Sequence, residues 1–94
     1  MSALFDLAGR TALVTGAATE VGLAIAGALA DAGARVVVHG RDPLKAEAAL
    51  QCIGVYRART CCFDVTDDEA VVHSVNKLEK AGWPVDILVN NAGD

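Results

Sequence analysis

The sequence predicts an α/β fold: one layer of four parallel strands with three helices packed on its two faces. Three observations predict it. Short apolar runs rich in valine alternate with longer stretches at helical spacing. Most boundaries carry a glycine, a capping residue or a proline. The elements alternate strand and helix with short connections, and such alternation means a parallel sheet because parallel neighbours need a helical crossover.

Each element follows from its own residues. Thr11-Ala12-Leu13-Val14-Thr15 is a short apolar run closed by Gly16, a buried strand by length and flank. Residues 21–32 place Val21, Ile25, Ala28, Leu29 and Ala32 at helical spacing, and Gly33 supplies the stop. Arg35-Val36-Val37-Val38-His39 is β-branched and brief, a second strand. Asp42-Pro43 pairs an N-cap with proline at the first helical position, where a missing N–H is harmless. Alanines and Leu50 carry that helix towards Gly54. A third strand falls within residues 55–65, centred on Thr60 to Phe63. Thr66-Asp67-Asp68-Glu69 reads as a capping box, opening a helix with Val71, Val75 and Leu78 on one face. Gly82-Trp83-Pro84 breaks it, with Trp83 as a loop anchor. Val85-Asp86-Ile87-Leu88-Val89 is the fourth strand, followed by Asn90-Asn91-Ala92-Gly93-Asp94. Right-handed crossovers order the strands 3-2-1-4, with the first two helices on one face and the third opposite.

Composition narrows the function. Ninety-four residues suffice for one small domain, residues 1–94, and not for two. Eight Lys and Arg against twelve Asp and Glu leave a net charge of −4, so there is no basic footprint for nucleic acid. The longest apolar run, Val21 to Ala30, falls short of the roughly 18 residues of a membrane span. The first residues lack the basic region of a signal peptide. Three cysteines (Cys52, Cys61, Cys62) form no disulfide framework, and a reducing, cytoplasmic setting is the simplest expectation. Cys61 and Cys62, expected on opposite faces of a strand, make a poor metal site with His39 or His73.

The turn Thr15-Gly16-Ala17-Ala18-Thr19-Glu20-Val21-Gly22 carries the chemistry. It runs from a strand end into a helix start, where glycine permits a sharp bend and exposed N–H groups favour a diphosphate. Together with Leu7-Ala8-Gly9-Arg10, Asp64-Val65 and Asn90-Asn91-Ala92-Gly93, this turn resembles the N-terminal half of a short-chain dehydrogenase/reductase. The family pattern is T-G-x-x-x-G-x-G, and here Glu20 stands in place of the middle glycine. A finer likeness, through residues 6–10 and Arg41-Asp42-Pro43, is to the branch of gluconate 5-dehydrogenases and 3-oxoacyl-[acyl-carrier-protein] reductases.

The resemblance implies a partial Rossmann fold that stops after the fourth strand, and a nicotinamide dinucleotide as partner. Gly16, Thr19, Glu20, Val21 and Gly22 would form the diphosphate loop. Asp64 would accept from the adenine amino group, with Val65 against the ring. Asn90 would brace the sheet, and Asn91, Ala92 and Gly93 would pass beside the adenosine ribose towards the nicotinamide. Gly40 occupies the place of an acid that would select NAD(H), and Arg41 follows it, ready to pair with a 2′-phosphate. NADP(H) is therefore expected, with NAD(H) the alternative. The alternative is that Arg41 is an ordinary solvated charge near a helix start. Glu20, favourable at an empty helix N-terminus, is expected to oppose the diphosphate and weaken binding.

Members of the family transfer a proton with Tyr-x-x-x-Lys. The single tyrosine here is Tyr56, with Thr60 four residues on, so residues 1–94 alone are expected to have no turnover. The fourth strand would be an open edge, inviting self-association or pairing with another polypeptide. The rival reading is accordingly a non-catalytic binding module completed by such a partner.

Overall fold

The computed structural model describes residues 6–54 and 57–91. The chain alternates β1 (Thr11–Val14), α1 (Glu20–Asp31), β2 (Arg35–His39), α2 (Pro43–Ile53), β3 (Ala58–Cys61), α3 (Asp68–Lys80) and β4 (Ile87–Val89). All pairings are parallel, in the order β3-β2-β1-β4. Register is set residue by residue: Val14 pairs with Val38 and with Val89, and His39 pairs with Cys61. Strand alternation then divides the core. Val14, Val36, Val38 and Ala58 meet Ala26 and Ala30 of α1 and Ala49 and Leu50 of α2. Leu13 and Val37 point the other way, towards Leu78 of α3. Two helices cover one face and one covers the other, as the crossover rule requires.

Four details differ from the sequence reading. The face of α1 that reaches the sheet is Gly22, Ala26 and Ala30; Val21 is 63% exposed, and Ile25 and Leu29 only flank the core. Small residues at i, i+4 and i+8 make a smooth ridge, so the helix settles closer than a Val/Ile/Leu face would allow. β3 ends at Cys61 because β2 ends at His39, leaving residues 62 and 63 no strand to pair with. Cys62 therefore lies beyond the strand, although both cysteines border one cleft beside α3. Finally, Asp67 rather than Thr66 caps α3, accepting from Ala70 N–H, because Thr66 is already bonded to Asp64.

The lower end of the sheet is tied down by side chains. Asp86 accepts from Thr11 N–H at 2.9 Å, fixing the start of β4 against β1. The Arg35 guanidinium donates to Thr11 and to the Gly82 carbonyl, and the guanidinium carbons of Arg35 and Arg59 lie 4.4 and 4.5 Å from the Trp83 ring centre. Trp83 is the anchor its sequence position suggested. Among the described residues no helix is long and apolar enough to cross a membrane, and no cluster of three or more His, Cys, Asp or Glu could hold a metal.

Candidate functional site

At the carboxyl end of β1 the chain must reverse from strand to helix in five residues. Gly16 makes the bend at φ +64°, a conformation that excludes most L side chains. Thr19 then caps α1: its Oγ accepts from Gly22 N–H at 3.1 Å and donates to the Gly16 carbonyl at 2.9 Å. One hydroxyl thus closes the turn and starts the helix. By helix geometry the next N–H groups, of Glu20 and Val21, have no acceptor within α1 and lie at the positive end of its dipole.

Gly22 explains how tightly the turn is folded. A Cβ there would overlap the Gly16 carbonyl oxygen and stand 2.8 Å from both Ala17 Cα and Asn91 Nδ2. Only glycine fits. Asn91, just past β4, braces the turn from the other side, donating from Nδ2 to the Gly16 carbonyl (3.2 Å) and to Thr19 Oγ (3.3 Å). Its backbone N–H donates to Thr15 Oγ at 2.9 Å, and Asn90 Oδ1 lies 3.3 Å from the same hydroxyl. Residues about 75 positions apart in sequence so form one junction.

Beside the turn opens a cleft of about 470 Å³, a volume suited to a small organic ligand. It is lined by Gly16, Ala18 and Thr19, by His39 to Asp42 and Lys45 from the β2–α2 junction, by Asp64 to Thr66 after β3, and by Asn91. Its floor is fixed by the fully buried His39, which accepts from Gly16 N–H at 3.1 Å and meets the Phe63 carbonyl at 2.8 Å. At Gly40 a Cβ would stand 3.3 Å from Ala46 Cβ, a tight contact, and 3.7 Å from Ala18 Cβ, an ordinary one. The electrostatics are mixed. Arg41 is largely exposed and reaches within 3.9 Å of Asp64, while Lys45 adds a second cation in the first turn of α2. Hydrogen bonds from the Thr66 hydroxyl and backbone N–H hold the Asp64 carboxyl below its usual range, with Arg41 adding a smaller pull.

The structure brings Gly16, Thr19, Arg41, Asp64, Val65 and Asn91 to this one cleft. Gly22 lies beneath the turn, Glu20 and Val21 stand exposed outside the lining, and Ala92 and Gly93 lie outside the described residues. His39 and Lys45 are lining residues that sequence reasoning missed, as are Ala18 and the residues Asp42 and Thr66, read there only as helix caps. A histidine directly after three valines at the end of a strand and a lysine in the first turn of a helix, against the dipole, were the available signals.

A parallel sheet with helices on both faces, and a crevice at the carboxyl ends of its strands beside a glycine turn, defines a Rossmann-type α/β domain. The chain belongs to the short chain dehydrogenase family, whose profile matches residues 10–94. It is 45% identical over 93 residues to gluconate 5-dehydrogenase of Gluconobacter oxydans, covering 96% of this chain and 36% of that one. Among solved structures it resembles a gluconate 5-dehydrogenase from Burkholderia cenocepacia in complex with NADP and tartrate (37% identity, TM-score 0.86, 95% of this chain and 36% of that one). It also resembles the Pseudomonas aeruginosa RhlG/NADP active-site complex (35% identity, TM-score 0.89, 100% of this chain and 37% of that one). The chain spans about a third of the length of the curated relatives it matches.

Proposed function

We propose that this chain supplies the NADP(H)-binding portion of an oxidoreductase acting on a carbonyl/alcohol pair. The observation that carries the proposal is the glycine turn itself. It is folded so tightly that a Cβ at Gly22 has no room, and Thr19, the N-cap of α1, lines the cleft. Such a terminus suits a diphosphate, because its N–H groups and dipole meet the negative charge without any side-chain rearrangement. The relatives support the choice of ligand, since NADP is bound in three of the similar structures.

The residues fit that group. Gly16 and Thr19 of the lining, with the N–H groups of Glu20 and Val21 at the start of α1 just outside it, would hold the diphosphate, Gly22 allowing the close approach. Asp64 would accept from the adenine amino group and Val65 would lie against the ring. Arg41, with Lys45 beside it, would take the 2′-phosphate; Gly40 keeps an acid from that place. Asn91, Ala92 and Gly93 would lead towards the nicotinamide. The chemistry a nicotinamide held there would supply is hydride transfer to or from the carbonyl/alcohol pair. The only tyrosine within residues 1–94, Tyr56, has no lysine four positions on, so this stretch alone binds without turning over. The similarity to gluconate 5-dehydrogenase favours a polyhydroxy carbonyl substrate.

Equilibrium titration of the chain with NADPH and with NADH tests the reading. The expected result is tighter binding of NADPH, reversed by Arg41→Asp, because a carboxylate repels the 2′-phosphate that a guanidinium grips. Equal affinities before and after that change would refute the 2′-phosphate assignment. Binding of neither dinucleotide would refute the proposal as a whole. A second reading, a module completed by another polypeptide, is favoured by one feature: Leu88 on β4 is 63% exposed in a strand whose hydrogen-bonded neighbour is β1. Its mark would be a discrete complex lost in Leu88→Lys.

A further inference from the structure

The geometry points to His39 as the positioning residue of the glycine turn, acting as a neutral imidazole with its proton on Nε2. Its effect on affinity rests on the dinucleotide reading above; its effect on the turn does not. The ring is 1% exposed, so both nitrogens must find partners within the protein. The Gly16 N–H can only donate, and its nitrogen lies 3.1 Å from Nδ1, so Nδ1 must accept and carries no proton. The Phe63 carbonyl can only accept, and it lies 2.8 Å from Nε2, so Nε2 must donate. Two independent partners demand the same tautomer.

The consequence is mechanical. Gly16 sits in the left-handed region, and its N–H is anchored to the last residue of β2 through that imidazole. The backbone repeats the link one residue on, where Ala17 N–H donates to the His39 carbonyl at 2.8 Å. The other nitrogen reaches the chain just past β3, and the His39 and Phe63 rings lie 4.3 Å apart. A single side chain thus joins the ends of β1, β2 and β3 where they line the cleft. A side chain that offers no acceptor at the Nδ1 position leaves a buried N–H at the bend without a partner. The turn must then move to satisfy it.

Three variants of the full chain separate this role from mere filling of space. His39→Asn places an amide oxygen near the Nδ1 position but falls short of Phe63. His39→Gln reaches towards Phe63 without offering Gly16 an acceptor. His39→Leu removes both bonds. Asn and Leu should therefore lose stability together, while dinucleotide affinity follows the Gly16 acceptor alone. His39→Leu and His39→Gln are expected to weaken NADPH binding about tenfold or more, and His39→Asn by less than about threefold. Without ligand, nitrogen shifts of the ring should show Nε2 protonated and Nδ1 bare, and Gly16 should exchange its amide slowly in the native chain and in His39→Asn only. An Asn variant as weak as Leu, or a proton on Nδ1, overturns the inference. If the native chain binds neither NADPH nor NADH, the dinucleotide reading fails. His39 is then judged by the ring shifts and Gly16 exchange. Should His39→Leu not fold, the Asn–Gln contrast decides.

Discussion

Gly22→Ala is the sharpest perturbation of this site, because two effects of opposite sign act at one atom. In a helix interior alanine is favoured over glycine by up to about 1 kcal/mol. Against that, the new methyl group overlaps the Gly16 carbonyl oxygen and stands 2.8 Å from Ala17 Cα and from Asn91 Nδ2. Two of these three neighbours are backbone, so no rotamer change relieves the clash. Either α1 lifts from the sheet or the turn opens, at roughly 1–3 kcal/mol for overpacking of this kind. Asn91 must also withdraw from Gly16 and Thr19, giving up two hydrogen bonds of about 1 kcal/mol each. The net expectation is a loss of roughly 2–4 kcal/mol in urea unfolding, with NADPH affinity reduced at least about tenfold. Gly27→Ala is the internal control. It lies in the same helix, a Cβ there meets nothing within 4 Å, and the substitution should stabilise by about 0.5–1 kcal/mol. The same change five residues apart must therefore act with opposite signs. If both variants shift the urea midpoint alike, the close approach of helix and turn is not what fixes this site.

The other expectations are more local. Asp64 has its titration lowered chiefly by the Thr66 hydroxyl, then by the Thr66 N–H. Its folded value lies below its unfolded one, so its contribution is complete above the ordinary Asp range and disappears as pH falls through the lowered value. Carboxyl carbon shifts followed against pH should show that low midpoint, and Thr66→Ala should return it part of the way; an unchanged midpoint contradicts the hydrogen-bond cause. Trp83→Leu removes the face on which Arg35 and Arg59 rest, and should cost about 1–2 kcal/mol at roughly 0.5–1 kcal/mol per contact. Stability equal to the native chain's would show those contacts to be incidental. Glu20→Gly should lower stability by about 1 kcal/mol, from lost helix propensity and lost dipole pairing. A like-charge pair held at about 5 Å, with an effective dielectric near 20, would oppose a diphosphate by roughly 3 kcal/mol. Because Glu20 is exposed and outside the cleft lining, salt and water screen most of this, so the gain in NADPH affinity should be only a few-fold and should vanish in high salt. A hundredfold gain would mean that the carboxylate points into the site.

The order of elements and the sheet topology were legible because each boundary has a chemical marker of its own. Gly16, Gly33, the Asp42-Pro43 pair and Gly82 all sit where the structure turns. What escaped is whatever depends on residues far apart. The buried face of α1 could not be told from periodicity, since Gly22, Ala26 and Ala30 are periodic too and only the distance of closest approach chooses between the two faces. The limit of β3 depends on where β2 ends, and the cap of α3 depends on Thr66 being already engaged by Asp64. The glycine turn and Asp64-Val65 were visible as motifs. His39 was not, because a lone histidine shows its worth only through the two backbone groups that meet its ring.

Glycine turns are usually regarded as flexible, yet this one has little freedom left. Its carbonyl at Gly16 is held by Thr19 from the helix and by Asn91 from beyond β4. Its N–H is held by His39 from β2, and Ala17 N–H is held by the carbonyl of the same residue. The permissive conformation of Gly16 and the missing Cβ of Gly22 allow the shape, but neither glycine maintains it. Maintenance comes from polar groups at the ends of the neighbouring strands. A bend fixed in this way offers its helix N-terminus to an anion without first being ordered by it, so less of the binding energy is lost to conformational entropy. The same reasoning accounts for a glutamate at position 20. Residue 20 is the first of α1, none of the described non-glycine residues has a positive φ, and Glu20 stands exposed. A glycine is demanded where the turn bends and where the helix comes closest to it, and position 20 is neither.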